Sequence, residues 1–356
     1  MPTVQSHGAR IHYLTLPCVD KCPQDARCVV FVHGGGGNAQ TFYHQMPFFA
    51  SRGFYAISLS VRGFGSSALD ADDASLFSAS HFSKDVVAVL DACGVQKAAV
   101  VGHSIGGFYV ARMCMDAPER LTHAVFSSTF YGLVDHAPAG QAPQLTRYLD
   151  HPYCTSGRDD VAVSLRDHIP DGAEVAASLH PRVTHPSTCD LNLSEAFRRR
   201  HPNLAWLSDS TNDTNTEVAR LALKKRFRLI HEASATPAQL RRRFRGPVLF
   251  TTTECDAAVH WEIIYYLASQ FKEQVCAGLV ALHWFRGPLC HAPYVEEPIQ
   301  FNQALLDFFD SSLPMTVAGP KPKRSLLAVL APRILLPTLG VLVLVVARGA
   351  LCVARR

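Results

Sequence analysis

The first third of the chain alternates between short apolar runs and segments in which apolar residues recur at helical spacing. Residues 28–32 and 54–59 are continuous apolar runs of the length typical of strands that are buried on both faces. Residues 83–93 have the helical spacing, and residues 98–101 form the next apolar run. Because strands that alternate with helices pair in parallel, this pattern predicts an α/β fold with a mostly parallel, doubly wound sheet.

The alternation stops between residues 131 and 245. This stretch is rich in proline and combines polar loops with short amphipathic pieces. Its second half carries three basic clusters, at residues 198–200, 224–226 and 241–243. We interpret these clusters as solvated helix faces. The alternative is a surface that faces anionic lipid or an anionic group of a substrate.

A Gly-x-Ser-x-Gly pattern at residues 102–106 lies between the apolar run at residues 98–101 and an apolar segment with helical character. A serine on a sharp turn between a strand and a helix has its hydroxyl exposed above the sheet. The glycines on either side suit a tight turn that leaves no room for a Cβ. The surrounding strand and helix make the pattern much more specific than five residues alone. We therefore predict that Ser104 is a nucleophile, with the N–H group of Ile105 directed at developing negative charge.

A glycine-rich loop, His-Gly-Gly-Gly-Gly-Asn at residues 33–38, follows the first apolar run. Such a loop after a strand can present backbone N–H groups to an oxyanion. The alternatives are a flexible turn and a phosphate-binding loop, but no Gly-Lys-Ser/Thr follows the glycines, which argues against a Walker-type loop. We predict an oxyanion hole formed by the N–H groups of Gly35 and Ile105.

Candidate acids and a candidate base follow two later apolar runs. Residues 246–253 read as a buried strand that ends before Glu254 and Asp256, and the short run at residues 282–285 precedes His291. A serine hydroxyl needs a base within hydrogen-bond reach, and a carboxylate fixes the tautomer of an imidazole base. The chain thus offers a nucleophile, an acid and a base, in that order, beyond the ends of three strands.

Together these motifs resemble the α/β-hydrolase family, in particular its capped group of esterases and lipase-like enzymes, which also includes C–C bond hydrolases and cofactor-free haloperoxidases. Four motifs carry the resemblance: the His-Gly loop at 33–37, Arg-Gly-Phe-Gly-Ser at 62–66, Gly-His-Ser-Ile-Gly-Gly at 102–107, and His291 followed by Glu296 and Pro298. They span roughly residues 10–310. One departure is Ser60, at a position where the family often has Asp.

The resemblance implies a catalytic core that is interrupted by an inserted cap. The catalytic core is expected at residues 1–130 and 246–312, and a helical cap inserted at residues 131–245 is expected to cover Ser104. Epoxide hydrolases and haloalkane dehalogenases of this family have Asp as the nucleophile. The serine in this chain argues against both activities.

The resemblance also implies which residues act as acid and base. Asp256 is preferred to Glu254, because the acid of the family stands three residues after a small residue that ends the strand. His291 is preferred as the base, because it follows the last strand and is trailed by the glutamate and proline of the family motif. His283 lies within the strand itself and His260 is expected on a helix, so both are weaker candidates.

Composition agrees with one catalytic domain and a tail. Hydrophobic residues make up 48% of the 356 residues, which is enough for a sizeable core. The 11 cysteines include no CxxC pair and the histidines complete no zinc pattern, so we expect reduced thiols, no metal and no cofactor. The first residues lack the apolar core of a signal peptide, which predicts a catalytic domain that faces the cytosol.

The last segment, residues 313–356, is basic and apolar. After Asp310 there are seven basic and no acidic residues, so a formal net charge of +4 for the chain becomes −3 for residues 1–310. Residues 326–347 include 14 Leu, Ile or Val among 22 residues. As a helix this stretch would be about 33 Å long, enough to span a bilayer, although Arg333 and two prolines interrupt it. We expect an anchor in an intracellular membrane; the alternatives are an interfacial segment, a buried or oligomerising tail, and a cytoplasmic enzyme.

The sequence therefore predicts a serine hydrolase that cleaves an ester, of a lipid or another apolar acyl compound, through Ser104, His291, Asp256 and an acyl-enzyme. Amide hydrolysis, C–C bond hydrolysis and acyl transfer use the same triad and stay open as alternatives. A non-catalytic binding scaffold is a further alternative, although every triad member is present. The expected partners are a small-molecule or lipid ester and a membrane contacted through the tail, and no nucleic acid.

Overall fold

The structure is a computed structural model of the chain. It describes residues 1–18, 26–69, 77–130, 132–133, 192–213, 233–256, 258–259, 261–273 and 279–311. The tail expected at residues 313–356, with its candidate anchor at 326–347, lies outside the described residues. Two long parts of the expected cap, residues 134–191 and 214–232, lie outside them as well.

One sheet of nine strands organises the described part of the chain. The strands are β1 Thr3–Ser6, β2 Ala9–Leu16, β3 Arg27–Val32, β4 Phe54–Leu59, β5 Ala68–Leu69, β6 Ala98–His103, β7 Leu121–Ser127, β8 Val248–Thr253 and β9 Val280–Phe285. Their order is β1-β2-β4-β3-β6-β7-β8-β9, and β5 pairs with β2. The pairs from β4 to β9 are parallel, whereas β1, β2 and β5 make antiparallel pairs at one edge.

Helices cover both faces of this sheet. They are α1 Gln45–Ala50, α2 Ala79–Ala92, α3 Gly106–Asp116, α4 Glu195–Arg200, α5 Pro202–Asp213, α6 Pro237–Arg243, α7 Trp261–Glu273, α8 Pro293–Glu296 and α9 Pro298–Asp310. Residues alternate between two core layers along β3: Val30 and Val32 pack in the layer of α2, α3 and α7, and Val29 and Phe31 pack in the layer of α1 and α9. The predicted doubly wound, mostly parallel sheet is confirmed.

The N-terminal edge of the sheet and one helix start differ from what the sequence pattern indicated. The hairpin of β1 and β2 was not predicted, because β1 is only four residues long and mostly exposed, with the pattern Thr-Val-Gln-Ser. Helix α2 begins at Ala79, four residues before the predicted start at position 83. Its first turn contains Ser80 and His81, so the apolar spacing becomes visible only one turn later.

A buried ion pair joins the N-terminal hairpin, the loop after β4 and α2. The side chains of Arg62 and Asp85 are both 0% exposed. The Arg62 Nε atom donates to Asp85 Oδ2 over 2.7 Å and its Nη2 atom donates to Asp85 Oδ1 over 2.5 Å, so the pair is bidentate. Nη2 also donates to the backbone carbonyl of Ser6 over 3.3 Å. The arginine of the Arg-Gly motif is therefore a structural crosslink within the core.

The described basic clusters of the cap region have separate local roles. Arg241 is buried and donates to the carbonyl of Gly246 over 2.8 Å. Arg199 is exposed and pairs with Glu195 one turn earlier on α4. These contacts agree with solvated or structural side chains at residues 198–200 and 241–243, and residues 224–226 lie outside the described part.

No helix in the described ranges is long and apolar enough to cross a bilayer. No group of histidine, cysteine and carboxylate side chains in those ranges has the geometry of a metal site. The six cysteines described in the structure are free thiols.

Candidate active site

Ser104 lies on the turn between the end of β6 and the start of α3. Its φ angle is 51°, in the left-handed region that residues other than glycine rarely adopt. The turn is held by a hydrogen bond from the Ser104 N–H group to the Ser127 carbonyl (3.0 Å) and by one from the Gly107 N–H group to the Ser104 carbonyl (2.8 Å). The side chain is partly exposed above the carboxyl edge of the parallel strands. A strained, accessible serine at this edge is the geometry of a nucleophile elbow.

The two glycines of the motif make this turn possible. A Cβ on Gly102 would lie 2.2 Å from the carbonyl oxygen of Gly106, and a Cβ on Gly106 would lie 2.3 Å from the carbonyl oxygen of Val32. Both distances are far below contact range, and the atoms in the way belong to the backbone. Strand β3, strand β6 and helix α3 can therefore meet behind Ser104 only when both positions are glycine.

Asp256 and His291 are brought together beyond the ends of β8 and β9. The two carboxylate oxygens of Asp256 both lie 2.9 Å from His291 Nδ1. Asp256 Oδ1 also accepts hydrogen bonds from the N–H groups of Ala258 (2.9 Å) and Val259 (2.8 Å). Both side chains are almost completely buried. The carboxylate is thus fixed by the backbone, and it holds the tautomer in which His291 Nδ1 carries the proton and Nε2 is the acceptor.

His103, the residue before the serine, connects the elbow to His291. Its Nε2 atom donates to the carbonyl oxygen of His291 over 2.9 Å, and the two ring centroids are 4.6 Å apart. Burial lowers the pKa of His103 well below its usual value, and nearby positive charge on His291 and His33 lowers it further. Sequence patterning did not single out His103, because its contact with His291 spans 188 positions.

The Ser104 hydroxyl has no hydrogen-bond partner among the described residues, so no bond joins it to His291 in this structure. Hydrogen bonds between a nucleophile and its base are often long in ligand-free enzymes and tighten when substrate binds. The contact of His103 with His291 places His291 beside the elbow. Ser104, Asp256 and His291 therefore follow the carboxyl ends of β6, β8 and β9 at one edge of the sheet, with β7 between β6 and β8.

The glycine-rich loop lies against the elbow. A Cβ on Gly34 would be 3.0 Å from the Ser104 Cβ atom, so the loop passes directly beside the nucleophile. Among the described residues, the N–H groups of Gly35 and Ile105 donate to no acceptor. Two unpaired donors next to a nucleophile could stabilise an oxyanion.

The imidazole of His33 fixes the start of this loop. His33 Nδ1 donates to the Gly34 carbonyl over 2.6 Å, and Nε2 accepts from the N–H group of Val61 over 3.0 Å. The Ser60 hydroxyl accepts from the N–H group of Ala39 over 3.0 Å. The loop is therefore tied to the end of β4 at two points. The serine that replaces the family's aspartate at position 60 provides one of them.

The weaker candidates for acid and base have other surroundings. Glu254 is exposed, and its carboxylate accepts a weak hydrogen bond from the N–H group of Gly287 (3.4 Å). His283 is half-buried within β9, where its ring packs against Phe285, and burial lowers its pKa. His260 lies outside the described residues. The structure therefore pairs Asp256, not Glu254, with His291.

A model of the alpha/beta hydrolase fold matches residues 27–297, which is most of the chain. The chain belongs to this family. A putative carbamate hydrolase from Variovorax paradoxus is 26% identical over 290 residues, covering 80% of this chain and 92% of that protein. An epoxide hydrolase from Caballeronia sordidicola is 30% identical over 149 residues, covering 42% of each chain.

The chain spans only about two fifths of the length of several curated relatives that it matches. Among solved structures, the enol-lactonase from Burkholderia xenovorans superposes with a TM-score of 0.60 at 14% identity, covering 87% of this chain and 100% of that one. At this identity the likeness shows the fold alone. Several of these relatives are named as hydrolases.

Proposed function

We propose that the protein is a serine hydrolase that cleaves carboxylic esters through Ser104, His291 and Asp256. The observation that carries the proposal is the pair of 2.9 Å contacts from Asp256 to His291 Nδ1 next to a serine with a left-handed backbone. This arrangement is the one that activates a hydroxyl which is otherwise a poor nucleophile at neutral pH.

In the proposed reaction, Ser104 Oγ attacks the ester carbonyl carbon and its proton passes to His291 Nε2. The N–H groups of Gly35 and Ile105 stabilise the oxyanion of the tetrahedral intermediate. The intermediate collapses as His291 gives the proton to the leaving alcohol, which leaves an acyl-enzyme. Water then attacks the acyl carbon, again with His291 as base, and the proton returns to Ser104 as the acid is released. Asp256 stabilises the imidazolium in both halves.

An ester of an apolar acyl group is the substrate class that we favour. A serine at the elbow favours attack on a carbonyl carbon, and one relative is named for a carbamate, which is a carbonyl compound. The apolar run at residues 326–347 of the sequence adds support for a lipid or similar substrate, because it would keep the enzyme near membranes. Amide and C–C bond hydrolysis use the same triad and are the competing reactions.

Labelling with a fluorophosphonate, which phosphonylates activated serines with release of fluoride, tests the nucleophile. Wild-type protein should be labelled and should hydrolyse p-nitrophenyl esters, and Ser104→Ala should lose the label and about three or more orders of magnitude in kcat. Ser51→Ala removes an exposed serine far from the site and should leave both unchanged. Labelling of Ser104→Ala at the wild-type rate would remove Ser104 from the mechanism. A series of esters from acetate to palmitate then measures the preferred acyl length.

We also propose that residues 326–347 anchor the chain to an intracellular membrane. All proposed catalytic residues precede this stretch, so a chain ending at Pro320 should keep its kcat on a short soluble ester. The same truncation should abolish resistance of the protein to extraction from membranes with alkaline carbonate. If the full-length chain is itself extracted by carbonate, the segment does not span a bilayer. If the truncated chain remains in the membrane pellet, another surface anchors it.

A further inference from the structure

Residues 192–213, which comprise α4, α5 and the three residues before them, are the longest described part of the expected cap. We call this segment the cap bridge. Its buried side chains, Leu193, Phe197 and Ala205, belong to the core layer that also contains Ala292 and Tyr294 next to His291. The cap bridge therefore packs against the core of the catalytic domain.

One end of the cap bridge is bonded to the loop that carries His291. The buried carboxylate of Glu296 accepts hydrogen bonds from Ser194 Oγ (2.5 Å), the Ser194 N–H group (3.1 Å) and the Cys290 N–H group (2.8 Å). The N–H group of Ala292 donates to the Asn192 carbonyl over 2.9 Å. The residues immediately before and after His291 are thus both fixed, one by Glu296 and one by the cap bridge itself.

Ser194 has a second role at this contact. Its hydroxyl accepts the N–H group of Phe197 over 3.2 Å while it donates to Glu296, so it also caps the N-terminus of α4. Burial raises the pKa of Glu296 above its ordinary value, and the hydrogen bonds from Ser194 and Cys290 oppose that shift. A carboxylate in this position needs these donors, because a buried acceptor without hydrogen-bond partners lowers the stability of the folded state.

The other end of the cap bridge is bonded to the oxyanion loop. Asn38, at the end of the glycine-rich loop, is buried and donates from Nδ2 to the Thr211 carbonyl of α5 over 2.6 Å. Asn38 Oδ1 accepts the N–H group of Gln40 over 2.8 Å, which shapes the turn after the loop. The Asn38 side chain therefore connects the oxyanion loop to the last turn of the cap bridge.

We propose that the cap bridge acts as a brace that fixes the His291 loop and the oxyanion loop relative to Ser104, with Glu296 and Asn38 as positioning residues. The inference rests on the proposed serine hydrolase function. Neither residue needs to touch the substrate. A shift of about 1 Å in a catalytic group can cost up to 100-fold in rate, so a loosened brace lowers the rate of the chemical step.

Ser194→Ala tests one end of the brace, and Thr236→Ala is its matched control. Thr236 caps α6, another helix of the cap region, through a hydrogen bond from the Gln239 N–H group, and it bonds to neither catalytic loop. Both variants lose a capping hydroxyl and should lose similar amounts of thermal stability. Ser194→Ala should lower kcat on a soluble short ester about tenfold with KM within about twofold, and should slow fluorophosphonate labelling equally. Thr236→Ala should change neither rate.

Two further variants address the remaining contacts. Glu296→Gln keeps the shape but lacks the charged acceptor. Combined with Ser194→Ala, it should cost no more than the larger single change, because both variants remove one interaction. Asn38→Asp keeps the acceptor for Gln40 and places an oxygen opposite the Thr211 carbonyl. It should therefore lower kcat about tenfold while the protein stays folded.

The brace is rejected if Ser194→Ala and Asn38→Asp keep kcat and labelling rate within about twofold of wild type, or if Thr236→Ala loses as much as Ser194→Ala. Ser194→Ala remains decisive if Glu296→Gln does not fold. Failure of the proposed function has a separate signature, because wild-type protein would then not react with the fluorophosphonate at all.

Discussion

Two of the buried carboxylates described in the structure pair with basic side chains, and one of these two lies at the candidate catalytic site. Asp85 pairs with Arg62 where α2 and the loop after β4 meet the N-terminal hairpin, and Asp256 pairs with His291 at the carboxyl edge of the strands. A guanidinium keeps its charge at every relevant pH, whereas an imidazole can take up and release a proton. Burial and pairing alone therefore do not identify a functional carboxylate. A partner side chain that can change its charge and lies beside a candidate nucleophile does identify one.

The largest expected effect breaks the catalytic pair. Asp256→Asn should lower kcat by about 10⁴-fold, because an amide NH₂ group opposite His291 Nδ1 favours the tautomer that cannot accept the serine proton. The fold should remain intact, since a neutral His291 tolerates a neutral partner. Glu254→Gln, two residues away on the same loop, is the matched control and should stay within about twofold of wild type. Steady-state kinetics on a p-nitrophenyl ester, with circular dichroism for the fold, measures both. The reverse ranking would make Glu254 the acid.

The second expected effect breaks the structural pair. Asp85→Asn leaves the buried Arg62 guanidinium without its counter-charge and should lower the free energy of unfolding by about 3–5 kcal/mol. The kcat per folded molecule should stay within about twofold, because the pair is not part of the site. Urea unfolding gives the stability, and labelling with a fluorophosphonate gives the number of active molecules. A variant that keeps wild-type stability but loses kcat would contradict the division between the two pairs.

The smallest expected effect concerns the His103 imidazole, which packs against His291 at a tilt. The pKa of His103 is lowered by burial, so His103 releases its proton at a lower pH than an ordinary histidine. The acid limb of log kcat/KM against pH should therefore fall with a slope of one proton. His103→Gln retains an amide donor for the His291 carbonyl and should cost only severalfold in kcat/KM. An acid limb with a slope of two in the wild type would show that both imidazoles take part.

Local patterns predicted the parallel strands, the elbow and the place of Ser104, because each depends on a few consecutive residues, and the family resemblance selected Asp256 and His291. The contacts that organise the site depend on distant residues. His103 meets His291 across 188 positions, Asn38 meets Thr211 across 173, and Ser194 meets Glu296 across 102. No short-range periodicity contains such pairs, so they become visible only after the sheet has brought the strand ends together.

The choice between the two neighbouring acids shows the same limit. Glu254 and Asp256 follow one strand at almost the same position, and strand patterning cannot distinguish them. The resemblance favoured Asp256, and the structure gives a physical difference: Asp256 accepts two backbone N–H groups and faces His291, whereas Glu254 is exposed. The N-terminal hairpin was missed for a related reason, because a four-residue polar strand is defined by its partner strand.

The elbow glycines have a consequence for inherited and engineered variation. Because a methyl group at position 102 or 106 would overlap backbone atoms at little more than 2 Å, neither position can tolerate even the smallest exchange. In a saturation library scored by turnover, we expect both positions to be as intolerant as Ser104, although neither belongs to the proposed triad. Scoring the same library by cellular abundance would separate them: alanine at 104 yields a stable but inert protein, and alanine at 102 or 106 yields little protein at all.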